Sequence, residues 1–266
     1  MARDKIQIGI PCGVNCEYYV DFLLQTIACT TGETEDVEIL FGVSDNSVNM
    51  DRIKNKSLFN HKIVEAYSVA NGSIGHGQCL DDIFSHMNSE YGMFVDCDVA
   101  FLEKGWHEKL VECLNDRIVI VGSEYDGAKY LKFPNVVCCL FRTQILKDVN
   151  ISFIPQPQKI TITAESAGIY GRKVGDEIIL DTGSELPLKL KKAGYDGVPL
   201  PLVRLNNKTG VLATTPVFLR NDLRGEEYHL DGRPIFTHIG RSLTRDFCKD
   251  EIVVKWRQEV ERWIKE

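Results

Sequence analysis

The first 145 residues alternate between strand-like and helix-like segments, and this alternation is the strongest constraint on the fold. Short apolar runs such as KIQIGI, VEILFGV and YGMFV are typical of strands that are buried on both faces. Between them lie segments with apolar residues at helical spacing, as in EYYVDFLLQTIAC and GQCLDDIFSHM. Because parallel strands need a crossover connection, usually a helix, this order predicts an α/β fold with a mainly parallel sheet flanked by helices.

Several element boundaries follow from the same patterns. The first strand is expected over 5–10, ended by Pro11, and a helix is expected near 103–114. The glycines of NGSIGHGQCLDD are expected to lie just before a helix. Residues 152–178 read as loop with short strands, and SELPLKLKKAGY as a helix that ends with Gly194 as its C-terminal cap. The amphipathic tail KDEIVVKWRQEVERWIKE predicts a helix packed on the body, and GVLATTPVFL reads as strand-like.

Composition excludes several classes of protein. The chain has 266 residues, a net charge of −7 and nine cysteines without C-x-x-C pairs. An odd number of scattered cysteines favours buried, reduced thiols over a disulfide framework or a zinc site. The sequence has no apolar run near the ~20 residues that span a bilayer and no apolar core typical of a signal peptide, so we expect a cytoplasmic protein.

The segment SEYGMFVDCDVAFLEKGW places two carboxylates one residue apart directly after a buried apolar run. Side chains alternate along a strand, so Asp96 and Asp98 are expected on the same side, with Cys97 opposite. Neighbouring carboxylates repel each other unless a cation or good hydrogen bonds lie between them. A cation site between the two carboxylates is one interpretation of this pattern. The alternative is that Asp96 ends the strand and Asp98 caps a turn before the next helix.

Further polar and glycine-rich signals collect at the ends of the predicted strands. Ligands of open parallel sheets bind beyond the carboxyl ends of the strands. A helix N-terminus approached by glycines suits an anion, although no G-K-[ST] follows and a P-loop is therefore excluded. The candidate ligand-binding residues at these ends are Pro11, Cys12, Gly13, Asp45, Asn46, Gly75 and His76.

The order I-x-I-P, D-N, G-x-G-x-x and F-V-D-x-D resembles the N-terminal half of a family 2-type glycosyltransferase of the GT-A fold. The segment SELPLKLKKAGYDGVPLP is similar to a helix and strand of that family, and RPIFTHIGRS resembles its late segment with a metal-binding histidine. The resemblance covers residues 5–115 and 180–202, and 234–242 less closely, whereas 143–178 and 203–230 match nothing that we can name.

This resemblance implies one GT-A-like domain over 1–266. About 1–122 would bind the nucleotide-sugar and 123–242 would form the acceptor and catalytic half, whose smaller mixed region lies on the acceptor side; 243–266 would be a C-terminal helix. The implied activity is metal-dependent transfer of a sugar from a nucleotide-diphosphate sugar, with UDP-sugar as the expected donor, to an acceptor hydroxyl with inversion. Mn²⁺ or Mg²⁺ is the implied cofactor.

The resemblance also assigns roles to residues. Asp98 would be the main metal ligand, Asp96 would contact ribose or metal-bound water, and His238 would be the third protein ligand. Asp45, with Asn46, would contact the base of the nucleotide. The full set expected to bind the donor is Pro11, Cys12, Gly13, Asp45, Asn46, Gly75, His76, Asp96 and Arg241.

The sequence departs from the family where the catalytic base is expected. An E-D pair usually precedes the E-L of the helix, but this chain has Thr182-Gly183 there. An inverting transfer needs a carboxylate that accepts the proton of the acceptor. Asp181 is the candidate base and Glu185 the reserve. The alternative is that Asp181 or Ser184 only caps the helix.

Other functions and acceptors stay open from the sequence. A nucleotidyltransferase that makes nucleotide-sugars would share the sheet and a metal-binding aspartate, but the G-x-G-T-R-L-like loop expected of it is absent from GIPCGVNCEYY. A non-catalytic sugar- or nucleotide-binding relative would explain the missing E-D pair. The acceptor is expected to be a glycan or another hydroxyl compound. A polyanion such as modified DNA is the alternative, suggested by the basic stretch from Lys189 to Arg224.

Overall fold

A computed structural model gives the fold of most of the chain. It describes residues 5–32, 34–43, 51, 53, 58–66, 72–124, 133–155, 157–158, 172–174, 177–179, 181–204, 226–240 and 246–265. The predicted strand GVLATTPVFL lies outside the described residues.

The described strands form three sheets. They are β1 Ile6–Cys12, β2 Val37–Val43, β3 Asn60–Glu65, β4 Tyr91–Val95, β5 Val99–Phe101, β6 Ile118–Glu124, β7 Pro134–Arg142, β8 Pro157–Gln158, β9 Arg172–Val174, β10 Glu177–Ile179, β11 Asp196–Leu200, β12 Leu202–Arg204, β13 Glu226–Leu230 and β14 Arg233–His238. The helices are α1 Glu17–Thr31, α2 Gly72–His86, α3 Trp106–Glu112, α4 Thr143–Asp148, α5 Glu185–Lys192 and α6 Glu251–Trp263, with a short 3₁₀ turn at Thr34–Asp36.

The large sheet has seven strands in the order β11-β6-β7-β4-β1-β2-β3. Pairs β1–β2, β1–β4, β2–β3 and β6–β11 are parallel, while β7 runs antiparallel to both of its neighbours. Buried side chains form one hydrophobic cluster on each face of this sheet. Along β4, Met93 and Val95 belong to one cluster and Phe94 to the other. The predicted α/β class, with a mainly parallel sheet flanked by helices, is confirmed.

A second, antiparallel sheet has the order β12-β13-β14-β5. Its strand β5 begins four residues after β4 ends, so the chain passes from the large sheet to the small one through residues 96–98. The predicted short strands of the 152–178 region form a third small sheet, β8-β10-β9.

The first strand does not end at Pro11. It continues to Cys12, and Pro11 pairs with Gly42 of β2. Pairing of β1 with β4 stops at Gly9–Phe94. Proline has no backbone N–H, but at Pro11 there is no longer a β4 residue that would accept a hydrogen bond from it.

Helix α2 begins at Gly72, so Gly75 and Gly77 lie inside the helix and not before it. A Cβ at Gly77 would lie 2.5 Å from the carbonyl oxygen of Phe153, so glycine lets this turn of the helix approach that backbone. The predicted apolar face of α2 is confirmed, since Leu80, Ile83 and Phe84 are buried. Helix α3 also starts later than predicted, at Trp106, because Gly105 at its N-cap has a positive φ of 69°.

The C-terminal helix packs on the body, as its amphipathic pattern predicts. Val253, Trp256 and Val260 of α6 are buried, and the indole Nε1–H of Trp256 donates to Thr237 Oγ1 at 3.2 Å. Within the described part of the chain, no helix is both long enough and apolar enough to span a membrane.

None of the nine cysteines forms a disulfide, and six of them are buried. Burial raises the pKa of Cys79 and of Cys139, each to about 12. These thiols therefore stay protonated at neutral pH and serve as packing groups, as the scattered spacing predicts.

Candidate active site

Asp96, Cys97 and Asp98 form the connection between the two larger sheets. The segment is a turn and not the end of an extended strand as predicted, with Val99 N–H donating to Asp96 O at 3.2 Å. Asp96 N–H in turn donates to Val137 O at 2.8 Å, which holds the start of the turn against β7. Although the backbone is not extended, the two carboxylates still face one site, and Asp98 is only 4% exposed.

His238 reaches the same site from the end of β14. Its backbone pairs with Val99, the residue after Asp98, and Ile239 N–H donates to Asp98 O at 3.2 Å. This pairing brings His238 Nε2 to 3.3 Å from Asp98 Oδ1. Asp98 and His238, which are far apart in the sequence, therefore meet where the four-stranded sheet joins the seven-stranded one.

Asp96, Asp98 and His238 form a candidate metal site. Their ligand atoms all lie within 4.8 Å of one another, and among the described residues they are the one such group of three. Two carboxylates and an imidazole suit Mn²⁺, and Mg²⁺ is also bound by one or two carboxylates with phosphate and water completing its shell. The residues present thus fit the cofactor that the family resemblance implies.

The histidines around this site are held in a strongly negative environment. Burial disfavours the charged form of His238, but the carboxylates of Asp98 and Glu226 raise its pKa well above the ordinary value. His76 Nε2 lies 3.3 Å from Asp96 Oδ1. Burial likewise lowers the pKa of His76, yet the net shift is upward because Asp96 and, more weakly, Asp181 and Asp98 outweigh it. The site therefore attracts a cation.

Asp181 lies at the N-terminal end of α2. Ser73 Oγ donates to Asp181 Oδ1 at 2.5 Å, and Thr182 N–H donates to the same oxygen at 3.0 Å. Thr182 Oγ1 completes the contact by donating to Ser73 O at 2.9 Å. Since the Asp181 charge also raises the pKa of His76, the candidate base and the candidate metal site share one electrostatic environment.

The loop that carries Asp181 is linked to a second, partly buried carboxylate. Asp81 of α2 accepts hydrogen bonds from Ser152 Oγ and Phe153 N–H, each at 2.7 Å. Phe153 O then accepts from Gly183 N–H at 2.8 Å. Burial raises the pKa of Asp81. This chain of contacts ties the Asp181 loop to α2 at two points.

Glu185, the reserve candidate, is engaged elsewhere. It lies in the first turn of α5, where its carboxylate is 2.6 Å from Lys189 Nζ, one turn further along the helix. Ser184 is the N-cap of α5 but makes no side-chain capping hydrogen bond. Glu185 is thus engaged within α5 itself, whereas Asp181 lies against Ser73 of α2.

At the end of β1, the main chain of Cys12 is the part that a ligand can contact, because its side chain is buried. Cys12 is 2% exposed, and its thiol lies near that of Cys16. A hydrogen bond with Cys16 lowers the pKa of Cys12, but burial and neighbouring groups leave it raised. Cys12 can therefore contact a donor only through its main chain, whereas Pro11 and Gly13 are partly exposed.

Three predicted donor-binding residues lie outside the described residues: Asp45, Asn46 and Arg241. The same holds for most of the proposed basic stretch, since 205–225 are outside as well. Gly75 is buried in the first turn of α2, next to His76.

Two residues at the site were not predicted from the sequence. Glu226 Oε2 lies 3.1 Å from His238 Nδ1, and Ser73 donates to Asp181. The signal for Ser73 is its place in N-G-S, two residues after the start of a glycine-rich segment. Glu226 lies in EEYHL, a segment that does not reveal which residue of another strand Glu226 faces.

No protein-family model matches the sequence, and no curated protein matches it. Solved structures do match. The chain is similar to the mannosyltransferase PcManGT from Pyrobaculum calidifontis, solved in complex with GDP-Man and Mn²⁺, with a TM-score of 0.52 and 12% sequence identity. That match covers 75% of this chain and 55% of the mannosyltransferase chain, so it spans about half of that protein.

Two other solved structures are similar at lower TM-scores. One is S. aureus TarS 1–349 in complex with UDP-GlcNAc, with a TM-score of 0.42, 18% identity and coverage of 56% of this chain and 48% of that chain. The other is a cytidylyltransferase from Leptospira borgpetersenii, with a TM-score of 0.38, 12% identity and coverage of 55% and 63%. The likeness to the Pyrobaculum structure shows the fold. The chain has a fold of the GT-A type, as the sequence resemblance predicted.

Proposed function

We propose that this chain is a metal-dependent glycosyltransferase, a hexosyl- or pentosyltransferase, that moves a sugar from a nucleotide-diphosphate sugar to an acceptor hydroxyl with inversion. The observation that carries the proposal is the convergence of Asp96, Asp98 and His238 at the junction of the two sheets. In an open α/β sheet this edge is where ligands bind. The proposal places the enzyme in the cytoplasm, where its free thiols stay reduced.

In this proposal Asp98 is the main metal ligand, Asp96 contacts the ribose or metal-bound water, and His238 is the third protein ligand. Mn²⁺ or Mg²⁺ held by these residues would supply positive charge that stabilises the leaving diphosphate. Asp98 suits its role because it is nearly fully buried and 3.3 Å from His238 Nε2, so its carboxylate is held in place. Asp96 is more exposed and contacts His76, which suits a group that faces the donor.

Asp181 accepts the proton of the acceptor hydroxyl as the new glycosidic bond forms. Its Oδ1 is held by Ser73 Oγ and Thr182 N–H, so the carboxylate has a fixed orientation. A single displacement, with the base and the leaving diphosphate on opposite faces of the sugar, inverts the anomeric centre. We assign His76, whose pKa both Asp96 and Asp181 raise, to the diphosphate of the donor.

The proposed donor is a UDP-sugar, as the sequence resemblance implies. GDP-mannose, the ligand named for the Pyrobaculum structure, is the first alternative to test. The proposed acceptor is a glycan hydroxyl, because the net charge of −7 opposes a polyanion. A polyanion such as modified DNA stays the alternative, and its binding would weaken steeply with added salt.

A thermal-shift screen of nucleotide-sugars tests this proposal. With the matching donor at about 100 times its dissociation constant and Mn²⁺ present, Tm should rise by about 5–10 °C, since binding to the folded state alone stabilises it by about 2.7 kcal/mol. With chelator in place of Mn²⁺, the same donor should give little shift. An equal shift in chelator, or none with any nucleotide-sugar, would contradict the proposed metal-dependent donor site.

A further inference from the structure

The two ring nitrogens of His238 face two different carboxylates. Nε2 lies 3.3 Å from Asp98 Oδ1, on the side of the candidate metal site, and Nδ1 lies 3.1 Å from Glu226 Oε2. A histidine that binds a metal through one nitrogen generally donates its other N–H to a carboxylate, a carbonyl or water. That second partner sets which nitrogen carries the proton. Glu226 occupies this position.

Glu226 is held in place by the four-stranded sheet β12-β13-β14-β5. It lies directly opposite His238 in the register of β13 and β14, so the two side chains share one face of the sheet. Tyr228 Oη–H donates to the same Oε2 atom of Glu226 at 2.9 Å. Tyr228 is 2% exposed, and its ring stacks on Phe236 with a centroid distance of 4.8 Å. The buried ring therefore fixes the carboxylate.

The main chain of Glu226 is anchored as well. Its carbonyl oxygen accepts from Thr237 Oγ1 at 2.8 Å, and Thr237 Oγ1 accepts from the buried Trp256 of α6. The side chain itself is 29% exposed, so packing does not require a carboxylate there. A carboxylate held by a tyrosine hydroxyl and facing an imidazole nitrogen suits a directing role.

We propose that Glu226 is a positioning residue for the metal site. Its carboxylate, anchored by Tyr228, accepts the Nδ1–H of His238 and so leaves the Nε2 lone pair directed at the cation beside Asp96 and Asp98. This inference rests on the proposed function, because it takes His238 as a metal ligand.

Titration of the full-length protein with Mn²⁺, followed by electron paramagnetic resonance of the free ion, tests this inference. Glu226→Ala should weaken Mn²⁺ binding by about 10–100-fold, the usual effect of losing a partner of a metal-binding histidine. Glu226→Gln should stay within about threefold of the wild type, because its amide oxygen still accepts from Nδ1–H. Tyr228→Phe should weaken binding less than Glu226→Ala does, but in the same direction.

Glu103→Gln is the matched control. It removes one carboxylate that contacts the other end of β14, where Glu103 Oε1 lies 3.4 Å from Arg233 Nη1. It should leave Mn²⁺ binding unchanged. The thermal unfolding midpoint of each variant shows that it is folded at the temperature of the titration.

Imidazole ¹⁵N spectra with Mg²⁺ give a second readout that simple loss of stability would not change. The chain has only six histidines, so a His238→Gln spectrum identifies the signals of His238. Wild type and Glu226→Gln should show His238 protonated at Nδ1, whereas Glu226→Ala should show a mixture of tautomers.

The outcomes separate the two proposals. If the wild type binds Mn²⁺ and Glu226→Ala binds it equally well, the positioning role is wrong and the proposed function stands. If Glu226→Gln weakens binding as much as Glu226→Ala does, Glu226 acts only through its charge and the positioning role is again wrong. If wild-type protein binds no Mn²⁺, alone or with UDP, the metal site of the proposed function fails and this inference fails with it.

Discussion

Asp98→Ala should lower turnover of the nucleotide-sugar donor by about 10²–10³-fold or more, the range seen when one preorganised group that stabilises developing charge is removed. Asp98 is 4% exposed, adjoins His238 Nε2 and belongs to the three-residue candidate metal site. Its loss should leave two protein ligands, so Mn²⁺ binding should weaken in parallel. Release of nucleoside diphosphate measures turnover, and circular dichroism reports whether the variant is folded.

Asp116→Ala is a control for this variant. Asp116 is exposed and precedes β6, at the opposite end of the strands from the site. Turnover should be unchanged in it. Should Asp98→Asn, which keeps size and polarity, turn over donor at the wild-type rate, the shared metal site would be refuted.

Asp181→Asn should lower transfer to the acceptor by about 10²–10⁴-fold, the usual contribution of a positioned general base. Asparagine can still accept from Ser73 Oγ and Thr182 N–H through its amide oxygen, but it cannot take a proton at neutral pH. Donor affinity should therefore stay the same. Transfer is followed as product formation under saturating donor, and donor affinity by thermal shift.

Glu185→Gln is the matched variant for the base. It removes the ion pair with Lys189 and should change transfer little. If Glu185→Gln loses transfer while Asp181→Asn keeps it, the roles of the two carboxylates are reversed and the mechanism survives. If both variants stay fully active, inversion by a carboxylate base is wrong.

Many of the strands and helices can be predicted from local patterns of hydrophobic residues. The run YGMFV predicts a strand buried on both faces. Strand β4 does contribute buried side chains to both hydrophobic clusters. Helical spacing likewise predicts α2 and α6 with their buried faces. These predictions succeed because each depends on side chains within one element, and burial imposes their period.

The predictions that fail depend on contacts between distant segments. Gly75 and Gly77 disfavour a helix by propensity, yet α2 begins before them. At Gly77 the helix approaches the Phe153 backbone so closely that only a glycine fits. Pro11 stays in β1 because the neighbouring strand β4 has already separated from it. Neither contact is visible in the local sequence.

The candidate site divides in the same way. The spacing of Asp96 and Asp98 marks them as candidate site residues, whereas His238 is predicted only through the resemblance to a family. Glu226 was not found, because its role depends on the register that places it opposite His238. A strand pattern shows which residues alternate, but not which residue they face on the next strand.

Product analysis with Mn²⁺ tests the central claim most directly. The protein is incubated with a UDP-sugar that stabilises it, and in parallel with the sugar 1-phosphate and UTP. A glycosyltransferase should release UDP from the first mixture, slowly by hydrolysis without acceptor and faster with one, and should form no pyrophosphate from the second. Pyrophosphate from the second mixture, with no UDP from the first, would instead identify a nucleotidyltransferase and contradict this account.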